Sequence, residues 1–335
     1  MKNFETNSKP FIVAEIGNNH EGSVKNAIKL IQSAKKSGAN AVKFQIFDPG
    51  KLSTPKDKKR IYQLKKFALK KKDIIFLKKK CDELGIIFFA TPFDIKSANF
   101  LNKIQNFFKI SSGDNNYFDL LEKVRSFKKP VIISTGLMNY KDISKVVNYF
   151  REFSFFKKKK NLCIMNCVSS YPTSNDKINL NSIPYLKKKF SNVTIGFSDH
   201  TVGYKISCLS YILGAEIIEK HFTLSNNFSN FRDHKISLDP KSLKRFVREI
   251  NNLQNILGNY NKVISEEEKL NYSLMRRKLI LNKTLKKGYK IKKSDLLIVR
   301  SPEQGIFASE IKKILGKKLI KNVNKFDNLL FQDLI

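Results

Sequence analysis

Long apolar runs are missing from this chain. None reaches the roughly 18 residues that a membrane-spanning helix needs, so no transmembrane segment is expected. The opening MKNFETNSKP carries charge but neither an apolar core nor a small-residue cleavage site, so no secretory signal is expected either. Cysteine is scarce. The four present, Cys81, Cys163, Cys167 and Cys208, show no metal-ligand spacing, and three fall inside strand or helix patterns. They read as buried thiols of a cytoplasmic protein, not as a disulfide framework. Arginine is scarcer than the charge suggests: nine of the 64 basic residues are Arg, and the lysines spread over nearly every polar helix face.

With 29 acidic residues against those 64, the net charge of +35 points by itself to a polyanion such as nucleic acid. Its distribution argues against specific nucleic-acid binding. The clusters KKFALKKKD (65–73), KKK (78–80) and KKKK (157–160) sit where solvated helix ends and loops are expected. No helix-turn-helix, zinc-finger or aromatic-platform pattern accompanies them. Abundant Asn, Ile and Phe alongside the Lys-for-Arg bias read as compositional drift. Non-specific sticking to polyanions is expected, and it is not a function.

What the chain does have is a regular alternation. Strand-like apolar runs recur at FIVAEIG (11–17), AVKFQIF (41–47), IIFFATP (86–92), FFKISSG (107–113), VIISTG (131–136), LCIMNCV (162–168), VTIGFSD (193–199) and EIIEKHF (216–222). Helix-length segments separate them, such as 24–38 and 76–85, each closing on a glycine. Eight strands alternating with helices over about 250 residues predict a (β/α)8 TIM barrel. A doubly wound open sheet is the rival, but no Gly-rich phosphate loop follows the first strand. Residues 241–258 supply the eighth helix, so the barrel spans 1–258, and 259–274 read as a polar linker. Residues 275–335 are short strand-like runs broken by turns, with no long helix beyond IKKIL (311–315). They form a small strand-rich domain, expected to pack against a barrel mouth.

Three of the four histidines, His200, His221 and His234, fall between Gly196 and Pro240. GFSDHT ends one strand at His200, and EIIEKHF ends the next near His221. A strand–helix–strand unit therefore puts both imidazoles at the carboxyl ends of neighbouring parallel strands, the edge where such folds build sites. Two neutral imidazoles converging there suit a divalent metal, whereas either alone reads as a hydrogen-bonded core residue.

The other strand ends are polar too. Glu15, then Lys43 and Gln45 on one face of the second strand, Thr91, Lys109 with Ser112 and Asp114, Ser134 and Thr135, Ser169 and Tyr171, and Ser198 all fall there. A lysine inside an apolar strand is costly to bury unless it meets an anion. Salt bridges to Glu15 or Glu219 would explain Lys43 or Lys109 singly. Two such lysines among hydroxyls read instead as a cradle for a phosphate and a carboxylate. A compact dianion beside a His-bound metal suits a phosphoenolpyruvate-using synthase.

EIGNNHEGS, GANAVKFQ, TPFD, FKISSGDNN, ISTGL, NCVSSYPT, GFSDHT, EKHFT and DHKISLDP, in this order along essentially the whole chain, resemble the sialic acid synthase family. That resemblance implies condensation of phosphoenolpyruvate with an N-acylated mannosamine-type sugar to a nonulosonic acid. It also implies a barrel followed by an antifreeze-like (SAF) domain, and a homodimer in which each SAF domain caps the partner's barrel. It places Lys43, Thr91, Lys109, Ser112, Ser169, Ser198 and His200 on phosphoenolpyruvate, and Mn2+ or Mg2+ on His200 and His221. Gln45, Asp114, Tyr171 and Asp233 would meet the sugar, with Glu15 near the reacting carbons. The chain departs from the family text at Val-Arg-Ser-Pro (299–302), where Lys-Arg-Pro is usual and its Arg, here Arg300, reaches the partner's sugar. N-acetylmannosamine as acceptor would give N-acetylneuraminate. A 2,4-diacetamido-2,4,6-trideoxymannose would give N,N′-diacetyllegionaminate. The rivals are a pyruvate aldolase or sugar epimerase on the same barrel, and a non-catalytic sugar- or polyanion-binding protein.

Overall fold

A computed structural model describes residues 9–335 and turns the apolar runs into an eight-stranded parallel sheet. Residues 1–8, which carry most of the expectation of no secretory signal, lie outside the described residues. The strands are β1 (Phe11–Gly17), β2 (Ala41–Ile46), β3 (Ile87–Pro92), β4 (Phe108–Ile110), β5 (Val131–Ser134), β6 (Leu162–Cys167), β7 (Thr194–Asp199) and β8 (Ile217–His221). β4 is much shorter than its apolar run. From Ser111 the chain turns, with the Asp114 N–H on the Ser111 carbonyl at 3.2 Å. The order is β3-β2-β1-β8-β7-β6-β5-β4, and β3 lies beside β4, so the sheet comes round into a nearly closed barrel.

Successive strand side chains alternate between the two faces of the wall. The outward set, including Ile12, Val42, Phe44, Ile195 and Ile218, is buried in one continuous core with the helices. The helix Val24–Lys36 shows why the sequence folds this way: Ser23 caps it by accepting the Asn26 N–H at 3.2 Å, and Ala27, Leu30, Ile31 and Ala34 make one buried stripe. The inward set changes character along the barrel axis. Toward the amino ends, Phe11, Val13, Ala41, Phe89, Phe107, Ile132, Met165 and Ile217 form a separate apolar floor. Two residues further along their strands stand Lys43, Lys109, Ser134, Cys167 and Glu219, with Glu15 beside Lys43 in register. This switch from apolar to ionic at period two positions the site.

The chain divides into two compact units, residues 1–258 and 259–335. In the second, β9 (Arg277–Leu281) and β10 (Leu296–Arg300) pair antiparallel over a small core of Leu279, Leu281, Ile291, Ile306, Leu319 and Leu329. One expectation needs correcting. The stretch read as a linker holds a helix, Glu266–Met275, started by a reciprocal cap. Ser265 Oγ accepts the Glu268 N–H at 3.2 Å, and Glu268 returns the bond to the Ser265 N–H at 3.1 Å. Glu266, Glu267 and Glu268 favour the positive end of the helix dipole, so a strong local start signal makes a polar segment helical. Among the described residues no helix is long and apolar enough to cross a membrane.

Candidate active site

At the carboxyl ends of the strands the first unit holds a cavity of about 360 Å³, within the usual range for small-molecule sites. Its deepest feature is ionic. Lys43 Nζ lies 3.1 Å from Glu219 Oε1 and 3.4 Å from Glu15 Oε2, and Lys109 Nζ lies 3.6 Å from Glu219 Oε1. Lys109 also donates to Ser134 Oγ at 2.6 Å, and Ser198 Oγ donates to Glu219 at 3.1 Å. Gln45 Nε2 donates to Glu15 Oε1 at 2.9 Å, and Asn18 Nδ2 donates to Gln45 Oε1 at 3.0 Å. All four ionic side chains are buried.

This crowding divides their protonation. Burial, against the pull of Lys43, pushes the Glu15 carboxyl up to about 7. Burial also opposes charge on Glu219, but the Lys109 and Lys43 ammonium groups outweigh it and hold the carboxyl at about 2. Lys43 is raised, because Glu15 and Glu219 together overcome its desolvation. Lys109 is lowered, chiefly by burial. Two neighbouring carboxyls thus differ in charge at neutral pH, one a fixed anion and one able to exchange a proton.

Above this layer the His200 and His221 rings have centroids 5.4 Å apart, and the Tyr171 ring lies 4.1 Å from His200. His200 Nδ1–H donates to the Val168 carbonyl at 2.7 Å, which leaves Nε2 as its lone-pair nitrogen. His221 Nδ1 is buried with no hydrogen-bond partner. Burial, then His200 and Lys43, hold the His221 imidazole well below the ordinary histidine range, so it is neutral. Among the described residues no group of three or more His, Cys, Asp or Glu is arranged for a metal. Burial opposes charge on His200, but hydrogen bonds to Cys167 and the Val168 carbonyl raise its imidazole. With a proton on Nδ1, its Nε2 and the unpartnered Nδ1 of His221 nevertheless fit a divalent ion whose other donors are water or substrate oxygens.

Ser112 and Ser169 meet over Gly136, whose N–H donates to Ser112 Oγ at 3.1 Å. A Cβ on Gly136 would stand 2.2 Å from Ser169 Oγ and 2.6 Å from Ser112 Oγ, so only glycine lets the two hydroxyls converge. Ser169 Oγ and Asp233 Oδ1 have no hydrogen-bond partner. Arg232 Nε lies 3.4 Å from Asp233, and the guanidinium sits 5.0 Å above the Tyr171 ring.

Of the residues read from sequence, Glu15, Lys43, Gln45, Lys109, Ser112, Ser169, Tyr171, Ser198, His200, His221 and Asp233 line this one cavity. Three do not. Thr91 pairs with Gln45 in the β2–β3 register, but its buried hydroxyl is outside the lining and has no partner. Asp114 stands behind the lining, bonded to Ser111 Oγ. Arg300 is exposed at the end of β10 in the second unit. Glu219 was legible only as a salt-bridge partner, although it stands two residues before His221 and so shares its face. Cys167, grouped with the inert thiols, lines the cavity 3.9 Å from His200 Nδ1. Cys81, Cys163 and Cys208 are buried, and burial raises all three thiols. Asn18, Arg60 and Arg232 also line it, and Arg60, on the helix Lys58–Phe67 among lysines, had no distinguishing signal.

Residues 30–262 match the NeuB family, and residues 276–334 match the SAF domain. The chain is 37% identical to an N,N'-diacetyllegionaminic acid synthase of Campylobacter jejuni, covering 96% of this chain and 99% of the relative. It is 34% identical to one of Legionella pneumophila, covering 96% and 94%. Among solved structures it resembles an N-acetylneuraminic acid (sialic acid) synthetase from Leptospira borgpetersenii. That match has a TM-score of 0.73 and 34% identity, covering 79% of this chain and 91% of the other.

Proposed function

The chain belongs to the NeuB family, and from that premise we propose that it condenses phosphoenolpyruvate with an N-acylated mannosamine-type sugar and water, giving a sialic acid and phosphate. The observation that carries this reading is the buried pair Lys43 and Lys109, opening into the same cavity as two imidazoles. Lys43, Lys109, Ser112, Ser169, Ser198 and His200 hold the phosphate and carboxylate, with Thr91 supporting from behind. Gln45, Tyr171 and Asp233 hold the sugar, with Asp114 behind them and Arg300 supplied by the partner in a cytoplasmic homodimer. A divalent metal, Mn2+ or Mg2+, fits His200 and His221, and when bound it supplies Lewis acidity to the aldehyde oxygen of the acceptor.

Carbon 3 of phosphoenolpyruvate forms the new bond to the aldehyde carbon, water adds at carbon 2, and phosphate leaves with cleavage of the C–O bond. The lysines neutralise the two anionic groups throughout, which a dry pocket makes effective. Glu15, poised at about 7 and held by Gln45 at 2.9 Å, exchanges the proton that the attacking water gives up. N-acetylmannosamine as acceptor gives N-acetylneuraminate. The two legionaminic acid synthases among the relatives favour a second reading, with 2,4-diacetamido-2,4,6-trideoxymannose as acceptor. Incubating the protein with phosphoenolpyruvate and each sugar, with and without a chelator, tests both. One sugar should give a nonulosonic acid mass with equimolar phosphate, and the chelator should stop it. No such product from any candidate sugar with metal present overturns the reading.

A further inference from the structure

The wall of the barrel carries a second ionic group, on the face turned away from the cavity. Asp199 ends β7 and Lys220 is the penultimate residue of β8, and they are the last ladder partners of these strands. Lys220 Nζ lies 3.2 Å from Asp199 Oδ2, with both side chains fully buried. The pair has no open side: Ser207 Oγ donates to Asp199 Oδ2 at 2.5 Å, the Thr201 N–H donates to Asp199 Oδ1 at 2.8 Å, and Lys220 Nζ donates to the Thr201 carbonyl.

Each partner stands one residue before an imidazole of the site. His200 lies between Asp199 and Thr201, so the pair holds the backbone on both sides of it. His221 follows Lys220 directly. The backbone of both histidines is anchored further by Thr173 N–H on the His200 carbonyl at 3.0 Å and Leu238 N–H on the His221 carbonyl at 2.8 Å. We propose that Asp199 and Lys220 are positioning residues, a buried clamp across β7 and β8 that sets the spacing and aim of His200 and His221. The proposal rests on the reading above that these two imidazoles hold the metal. Apolar side chains would fill the same space, but only a charged, directional pair fixes the step between the strands while gripping the backbone N–H and carbonyl of Thr201.

The test uses the full chain and the double substitution Asp199→Asn with Lys220→Met. It removes both charges together, so neither is left stranded, and the Asn oxygen still accepts the Thr201 N–H. The four histidines are followed by imidazole NMR without metal, and Mn2+ alone is titrated by EPR. The expected result is cooperative unfolding as in the parent and displaced His200 and His221 signals, with His20 and His234 unmoved. Mn2+ affinity should fall about 10- to 100-fold, as for groups that orient metal ligands. Unmoved His200 and His221 signals with Mn2+ affinity within about twofold of the parent overturn the clamp. If the parent itself does not bind Mn2+, the metal reading fails, and the metal-free imidazole signals still decide the clamp. If the double variant does not fold, Lys220→Arg, which keeps the charge and changes the reach, is read by the same signals. Displacement supports the proposal and superposition overturns it.

Discussion

Glu219 and Lys220 are neighbours in sequence, yet they belong to two different buried ionic groups on opposite faces of β8. The inner group, Lys43, Lys109, Glu15 and Glu219, lies at the bottom of a cavity among atoms with unused bonding capacity. Ser169 Oγ and His221 Nδ1 both lack a hydrogen-bond partner. The outer pair, Asp199 and Lys220, is closed in by Thr201 and Ser207, which bond to it through the Thr201 backbone and the Ser207 hydroxyl. Burial of charge alone therefore says little about role. Access to a cavity separates a charged group placed to meet a ligand from one placed to hold backbone.

The sharpest test of the contrast starts above the inner group. His221→Ala should cut kcat by at least about 10³-fold, the scale at which a principal electrostatic contribution is lost. Its melting temperature should stay near the parent value, and parent-like turnover in a folded variant would refute the metal assignment. Next comes the closed pair. Lys220→Met strands Asp199 in the wall and should cost about 3–5 kcal/mol in urea denaturation.

Lys43→Met is the matched change on the other face. Glu15 can take up a proton and Glu219 keeps Lys109, so stability should fall by less than half as much. The kcat/KM for phosphoenolpyruvate should instead drop about 10²-fold. Equal stability losses in the two methionine variants would erase the distinction between the groups.

A further test concerns a buried group of neither kind. Burial pushes the His20 imidazole down to about 4, against a hydrogen bond to the Gly17 carbonyl. Below pH 6.5 the unfolded chain binds a proton that the native chain refuses. Stability should therefore fall as pH drops from about 6.5 to 4, by about 3 kcal/mol in all, and level off below. In His20→Asn, which keeps an acceptor for the Gly22 N–H, that part of the pH dependence should vanish. An unchanged pH slope would show that His20 is not its source.

Much of this was legible because strand period and strand end are one-dimensional signals. AVKFQIF announces both a strand and the shared face of Lys43 and Gln45, and the barrel follows from eight such runs. Other features depend on what lies across the cavity. Cys167 reads like Cys163 in LCIMNCV, and only the approach of His200 from β7 tells them apart. Thr91 and Asp114 sit at the expected places in the chain, but the sequence does not encode how far each stands from the lumen. The helix Glu266–Met275 was hidden for another reason: its start signal, Ser265 with Glu268, is local, and no apolar stripe accompanies it.

The apolar floor of Phe11, Phe89, Phe107 and Met165 has a consequence for access. It closes the barrel from below, so the cavity opens toward the carboxyl ends of the strands. Lys43 and Lys109 are at the bottom and Arg232 is at the exposed rim. On the function proposed above, the floor leaves the carboxyl-end side of the barrel as the side from which both substrates arrive.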